Sequence, residues 1–304
     1  MKTIRSIGEF GLIHEISKWV PGGSGVIRGI GDDSAVLNAK GGRYQLLTVD
    51  SMVEGVDFKR REATPEQIGW KALAINLSDI AAMGGVPKAA VVSLILPPNT
   101  RVVFVKRCYQ GLLRLSRRFG VAIVGGDLSR GPVIVCTVAV LGETLKRRAV
   151  LRTGARIGDY VCVTGKLGGS ILGKHLKFTP RLREGQFLSK HGVSSMIDLS
   201  DGLLQDLQHL TEKPGLTFMI ADRDIPIDPA AFRLAHRNRA KALMHALRDG
   251  EDFELLFTVA PAKFRRLTQL WPRRFSVPLT AIGRVVEGRK ARAHEFKRLG
   301  FQHF

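Results

Sequence analysis

The sequence predicts a mixed α/β chain of the α+β kind, folded as two domains, and three observations lead there. Apolar β-branched runs and helical patterns intermix without a strict strand–helix–strand rhythm. The 304 residues suffice for two hydrophobic cores. A Lys-Arg-Arg run and a Gly-Ala-Arg-Ile-Gly-Asp turn interrupt the pattern between Leu145 and Gly154, so the expected domains are residues 1–148 and 149–304.

Strands are expected where aliphatic runs end in turn residues: Tyr44–Val49, Val91–Leu96, Val121–Val124, Val133–Leu141, Tyr160–Thr164, Glu254–Val259 and Leu279–Val285. The clearest helix is Thr64–Gly84. Thr64 and Gln67 make a capping box, Pro65 fits the first turn, and Gly84-Gly85 ends it. Further helices are expected at Val102–Phe119, Gly169–His175, Arg181–His191, Gly202–Thr211, Pro229–Ala246 and Ala262–Trp271. Asp79 falls near the C-terminal end of the Thr64 helix, where the dipole disfavours a carboxylate. Such a placement points to a ligand.

Composition narrows the function classes. Hydrophobic residues make 44% and charged residues 24% of the chain, ordinary for a globular protein. No run reaches the roughly 18 apolar residues of a membrane span, and the N-terminus lacks a secretory pattern, so a cytoplasmic location without membrane partners is expected. Cys108, Cys136 and Cys162 stand singly in apolar contexts, as buried small hydrophobes do. The net charge of +20 raises the question of nucleic acid. Its excess is spread as +9 over residues 1–150 and +11 over 151–304, with no zinc-finger, basic-zipper or aromatic RNA-binding pattern. Nucleic acid is therefore not the expected partner, and a basic surface also gathers small anionic substrates.

The informative feature is acidic. Six stretches set Asp or Glu among glycines and aliphatics: GIGDDSAV (Asp32, Asp33), LLTVDSMVEG (Asp50), INLSDIAAMGG (Asp79), IVGGDLSRG (Asp127), MIDLSDGL (Asp198, Asp201) and DGEDFELLF (Glu251, Asp252). A buried carboxylate needs a cation or a proton, and these segments contain almost no Lys or Arg. Oxygen ligands suit Mg²⁺, which usually binds together with substrate phosphates. The expectation is a Mg²⁺–nucleotide enzyme. Asp50 and Asp127 each follow an apolar run, as carboxylates at strand ends would, and Gly125-Gly126 would let backbone approach a phosphate. Ser200, between Asp198 and Asp201, could meet a phosphate at a helix N-terminus. Asp206 is placed on the solvated face of that helix. Gly29–Asp33 lacks the context of a dinucleotide loop, Gly165-Lys166 is not followed by Ser or Thr as in a P-loop, and no histidine pair or G-x-S-x-G elbow occurs.

Taken as an ordered set, GIGDDSAV, VDSMVEG, WKALAINLSDIAAMGG, VGGDLSRG, MIDLSDGLLQDL and GEDFELLF resemble the thiamine-monophosphate kinase family, within the superfamily of aminoimidazole-ribonucleotide and selenophosphate synthetases. The resemblance runs from Gly8 to Phe304 and implies an N-terminal domain that dimerises through its sheet and a C-terminal α+β domain. It implies transfer of the γ-phosphoryl of ATP to thiamine monophosphate. It also implies that Asp33, Thr48, Val49 (by its main chain), Asp50, Asp79, Asp127, Asp198 and Asp201 surround several Mg²⁺ ions. ATP would touch Gly126, Asp127, Arg152 and Ser200, while Asp57 and Glu251 would touch the thiamine phosphate. Asp50, Asp79, Asp127 and Arg152 would carry the catalytic work. The chain departs from the family at Asp57, where a His is usual, at Asp249, where a Gly is usual, and at Arg298, near an expected ring-stacking aromatic that Phe296 or Phe301 would have to replace. Two other readings stand beside this one: a related Mg²⁺–ATP enzyme with another small acceptor, and a non-catalytic nucleotide- or nucleic-acid-binding protein.

Overall fold

The structure, a computed structural model, describes residues 3–210 and 215–288. Arg298, Phe296 and Phe301 lie outside the described residues. Two sheets organise the rest. The first has six strands in the order β1-β2-β3-β6-β4-β5: β1 (Val26–Arg28), β2 (Ala35–Asn38), β3 (Arg43–Val53), β4 (Val86–Leu96), β5 (Ala122–Arg130) and β6 (Val135–Leu145). Only β4 and β5 pair in parallel. The second sheet is antiparallel in the order β8-β10-β7-β11-β9, formed by β7 (Tyr160–Thr164), β8 (Ser195–Asp198), β9 (Leu216–Ile220), β10 (Leu255–Val259) and β11 (Leu279–Glu287).

Alternation explains how the first sheet is covered. On β3, Leu46, Thr48 and Met52 are buried, whereas Leu47, Val49 and Ser51 are exposed. The buried face packs on helix α2 (Pro65–Ala82), which in turn packs on α3 (Val102–Phe119). The other face is open and apolar at its centre, with Leu47, Val49, Val91 and Leu141 exposed. Helix α2 starts as its capping box requires: Thr64 Oγ1 accepts from Gln67 N–H at 3.3 Å, and Gln67 returns the bond at 2.8 Å. Its remaining faces meet α4 (Leu182–Lys190) and β8, so α2 is buried on nearly every side between the two sheets. One hydrophobic cluster runs through both halves, from Leu46 and Leu77 to Met196 and Phe257, and a smaller one lies under β11 and α5 (Leu203–Leu210).

Several elements differ from expectation for local reasons. Residues Gly169–His175 form two 3₁₀ turns, because Gly169 and Gly173 adopt left-handed backbone. The expected Pro229–Ala246 helix is two, α6 (Pro229–Leu234) and α7 (Arg239–Arg248), separated where His236 and Arg237 have φ of 47° and 64°. Asn238 then caps α7 by accepting from Lys241 N–H. A helix α1 (Ile4–Trp19) and strand β9 were not expected, nor was α8 (Pro261–Leu270) to begin one residue early. Among the described residues no helix is long and apolar enough to cross a membrane.

Candidate active site

A cleft of about 1260 Å³ opens between the two sheets, bounded by α1, the loop before β2, β3, α2 and α5. Carboxylates from distant segments meet there. Asp33 arrives on the loop before β2, Asp50 on the helix-facing side of β3, Asp79 on the last turn of α2, and Asp198 at the end of β8. Asp33, Asp79 and Asp198 each present an oxygen within 4.8 Å of the others. Thr48 Oγ1 donates to Asp79 Oδ2 at 2.5 Å, and Ser78 Oγ donates to Asp198 Oδ2 at 2.6 Å.

Among the described residues, a protein cation enters this cluster. Arg152, from the turn joining the two sheets, donates Nη2 to Asp33 Oδ1 at 2.6 Å, and its backbone N–H faces Asp32. Arg28 closes on Asp32 from the outer side at 3.4 Å. Asp33 Oδ2 is buried with no hydrogen-bond partner.

Burial raises the pKa of Asp198 to about 8, with the Asp33 charge adding to it. Burial and then the Asp33 charge lift Asp32 to about 7. Asp79 is pushed well above the usual range by burial and by Asp50, Asp198 and Asp33. Four acids of one sign cannot all ionise there unless cations join them. The donors are all carboxylate oxygens, and with an orphaned oxygen on Asp33 they fit hard divalent cations such as Mg²⁺.

Asp201 and Ser200 line the cleft on the loop after β8. Asp206 does not lie on a solvated face: it is 1% exposed, and its Oδ2 accepts from the N–H groups of Asp201 and Gly202, both at 3.2 Å. It thus ties down, from within α5, the backbone that follows Ser200, the residue expected to meet a phosphate. The signal was present, since Asp206 shares a helical stripe with Leu203, Leu207 and Leu210. His209, on the same helix, also lines the cleft under Phe10 of α1, with ring centroids 4.6 Å apart. Burial pushes its pKa down to about 4, so it is neutral.

Asp127 and Gly126 are not brought into this cleft within one chain. Asp50 lies across from Val138, Val92 and Gly126 on successive strands, with β5 at the sheet edge. Asp127 belongs to the next row, with Ser51, Thr137 and Ser93, and so points to the open face of the sheet. There its Oδ2 accepts from Ser129 Oγ at 3.0 Å. Both Asp50 and Asp127 lie inside longer strands rather than at strand ends. The absent side chain of Gly126 has a local cause, since a Cβ would collide with the Val92 carbonyl. Val49 turns its side chain to the open face, so only its main chain could serve a cation.

Asp57 and Glu251 line the far end of the cleft. Asp57 Oδ2 accepts from Val53 N–H at 2.7 Å, which ties down the turn after β3. Glu251 pairs with the buried Lys71 of α2. Asp249 turns away from the cleft, bonding Gly169 N–H at 3.1 Å and pairing with His245. Asp252 and Glu254 meet protein cations: Lys174 lies 3.7 Å from Asp252 Oδ1, and burial still lifts the Asp252 pKa to about 7. Gly168 N–H donates to Asp252 at 2.8 Å, and Lys174 and Arg181 pair with Glu254 at 3.0 and 2.6 Å. These cations come from distant segments, which local sequence could not show.

Residues 31–144 match the family of AIR synthase related protein, N-terminal domain. The chain is 40% identical over 269 residues to a thiamine-monophosphate kinase of Rhodopirellula baltica, covering 85% of this chain and 83% of the relative. It is 36% identical over 307 residues to that of Bacillus subtilis, covering 93% of each. A solved structure described as AaThiL complexed with AMPPCP and TMP superposes with a TM-score of 0.86 at 32% identity, covering 100% of this chain and 99% of that one.

Proposed function

Because the chain belongs to the thiamine-monophosphate kinase family, we infer that it transfers the γ-phosphoryl of ATP to thiamine monophosphate, giving thiamine diphosphate. The observation that carries this reading is the convergence of Asp33, Asp79 and Asp198, from segments far apart in sequence, on one wall of a cleft large enough for both substrates.

The acceptor is itself a phosphate monoester, with a second pKa of about 6, so it reaches the site as an anion and needs no strong general base. What opposes reaction is the approach of two polyanions in line. Arg152 counters that repulsion with a fixed guanidinium, and Ser200 offers a hydroxyl beside the phosphates. Asp33, Asp50, Asp79, Asp198 and Asp201, with Thr48, would hold Mg²⁺, which when bound neutralises developing charge on the transferred group. Transfer is direct, without a phospho-enzyme; labelled phosphate trapped on the protein after mixing with ATP would refute that step.

The unit is a homodimer formed through the first sheet. Its open face, with Leu47, Val49, Val91 and Leu141 exposed, supports this, because an apolar face of that kind is buried in most stable folds. Asp127 and Gly126 would then reach a cleft only across the chain–chain contact. Residues 1–148 supply the dimer sheet and the Asp33, Asp50 and Asp79 side of the cation site, and residues 149–304 complete that site with Asp198 and Asp201 and add Arg152, Ser200 and Glu251. A cytoplasmic setting, with ATP at hand, fits this chemistry. The test is a coupled assay for ADP and thiamine diphosphate: equal amounts of both, formed only with Mg²⁺, are expected. ADP without thiamine diphosphate would move the assignment to another acceptor.

A further inference from the structure

We propose that Lys71 is a positioning residue for the acceptor: it fixes the Glu251 carboxylate at the end of the cleft remote from the aspartate cluster, where Glu251 selects for the positive charge on the acceptor's ring. The inference rests on the reading that the acceptor is thiamine monophosphate, whose thiazolium is a permanent cation and whose phosphate is an anion.

Lys71, Ile75 and Asp79 stand four residues apart along α2, share one face, and all line the cleft. At 1.5 Å per residue, Lys71 starts about 12 Å from Asp79 along the helix axis. Long helical side chains lean toward the N-terminus, which carries its ammonium further away still. The site is therefore bipolar, with phosphate chemistry at the Asp79 end and, at the other, the Lys71–Glu251 ion pair beside Asp57, whose Oδ2 is taken up by Val53 N–H.

That pair is layered. Lys71 is 1% exposed, and its Nζ donates to the Asp57 carbonyl at 3.0 Å besides pairing with Glu251. The Glu251 side chain is 33% exposed, so the ammonium sits behind and the carboxylate in front, facing the cleft. Met52, Val56, Ile75 and Phe253 line the cavity beside it, an apolar wall suited to a flat ring. The backbone here is strained: Glu251 and Phe253 have φ of 63° and 48°, unusual for residues with side chains. It is held by Glu251 N–H donating to the Ser200 carbonyl at 2.7 Å and Phe253 N–H to the Leu199 carbonyl at 2.8 Å. Gly250 permits the approach, since a Cβ there would lie 2.5 Å from the Ser200 oxygen. Glu251 is thus tied to the loop that carries Asp198 and Asp201, and Lys71 fixes the one part the backbone leaves free, the carboxylate.

A plain structural tie between the two halves would use the same ion pair, and kinetics separate the two roles. In the full-length protein, Lys71→Met is expected to raise the KM for thiamine monophosphate about tenfold, with the KM for ATP changed by no more than about twofold, and Lys71→Arg to restore most of the loss. Glu251→Gln keeps the shape and removes the charge. It is expected to abolish the wild-type preference for thiamine monophosphate over an analogue with a neutral thiophene in place of the thiazolium. A folded Lys71→Met protein with an unchanged KM for thiamine monophosphate overturns the proposal, as does a Glu251→Gln protein that keeps the preference. Should Lys71→Met fail to fold, the Glu251→Gln comparison decides alone. A wild-type protein that does not phosphorylate thiamine monophosphate overturns the functional reading and this inference with it. Wild-type turnover with unaltered variants overturns this inference only.

Discussion

Replacing Asp79 by Asn should make the cation-free protein more stable while destroying its response to Mg²⁺. Asp79 shares a space with Asp33 and Asp198 in which their oxygens lie within 4.8 Å of each other. Two unit charges at that separation repel by about 3 kcal/mol at an effective dielectric of 20. Protonation relieves part of this near neutrality, so the effect is largest at about pH 9, above the value of about 8 reached by Asp198. The replacement amide has the shape of the carboxylate and can still accept from Thr48 Oγ1 through its oxygen, so little packing is lost. A net gain of about 1–3 kcal/mol is expected, a rise in Tm of several degrees. Thermal unfolding of both proteins, in chelator and then in Mg²⁺ with a non-hydrolysable ATP analogue, reads both terms. Wild type should rise on adding Mg²⁺–nucleotide and Asp79→Asn should barely move, with turnover lost. A destabilised variant, or one that keeps the Mg²⁺ shift, would refute the argument that these carboxylates repel one another and are held together by cations.

Other outcomes follow from the same geometry. Asp32 and Asp198 have pKa values raised to about 7 and about 8 from an unfolded value of 3.8, so between those limits the folded state binds more protons than the unfolded one. Cation-free protein should therefore lose stability as pH rises from about 4 to about 8, seen as a falling urea midpoint in chelator, and saturating Mg²⁺ should flatten the slope. Asp206→Ala leaves the N–H groups of Asp201 and Gly202 without their acceptor. It should cost about 1–3 kcal/mol in urea unfolding and raise the Mg²⁺ needed for half-activation. Since Asp127 and Asp50 lie on opposite faces of the sheet, mixing inactive Asp50→Asn and Asp127→Ala proteins after mild subunit exchange should restore part of the activity, and unchanged zero activity would argue against sharing across chains.

How much of this was legible in the sequence depended on whether the cause was local. The α2 boundaries came from Thr64, Pro65 and Gln67, all within one turn, and the structure makes those same bonds. The α+β class and most strands came from aliphatic runs and turn residues. The convergence of Asp33, Asp79 and Asp198 was readable because a carboxylate among aliphatics has few explanations. The same reasoning misjudged the segment around Asp252 and Glu254, because its cations, Lys174 and Arg181, lie 80 and 73 residues from Glu254 along the chain. Asp127 could not be placed because the face it takes depends on a register shift between β4 and β5 at Ala90 and Val91. Asp206 was misread although its helical stripe was in view. The burial of Lys71 within α2, and its pairing with Glu251 from 180 residues away, had no local sign in the sequence.

The central claim is that carboxylates from separate segments grip divalent cations at the triphosphate. Its most direct test is anomalous diffraction from crystals holding Mn²⁺ in place of Mg²⁺ together with a non-hydrolysable ATP analogue. The account predicts peaks at about 2.2 Å from oxygens of Asp33, Asp79 and Asp198, bridging to the phosphates. A nucleotide bound with no peak among those three residues would contradict it.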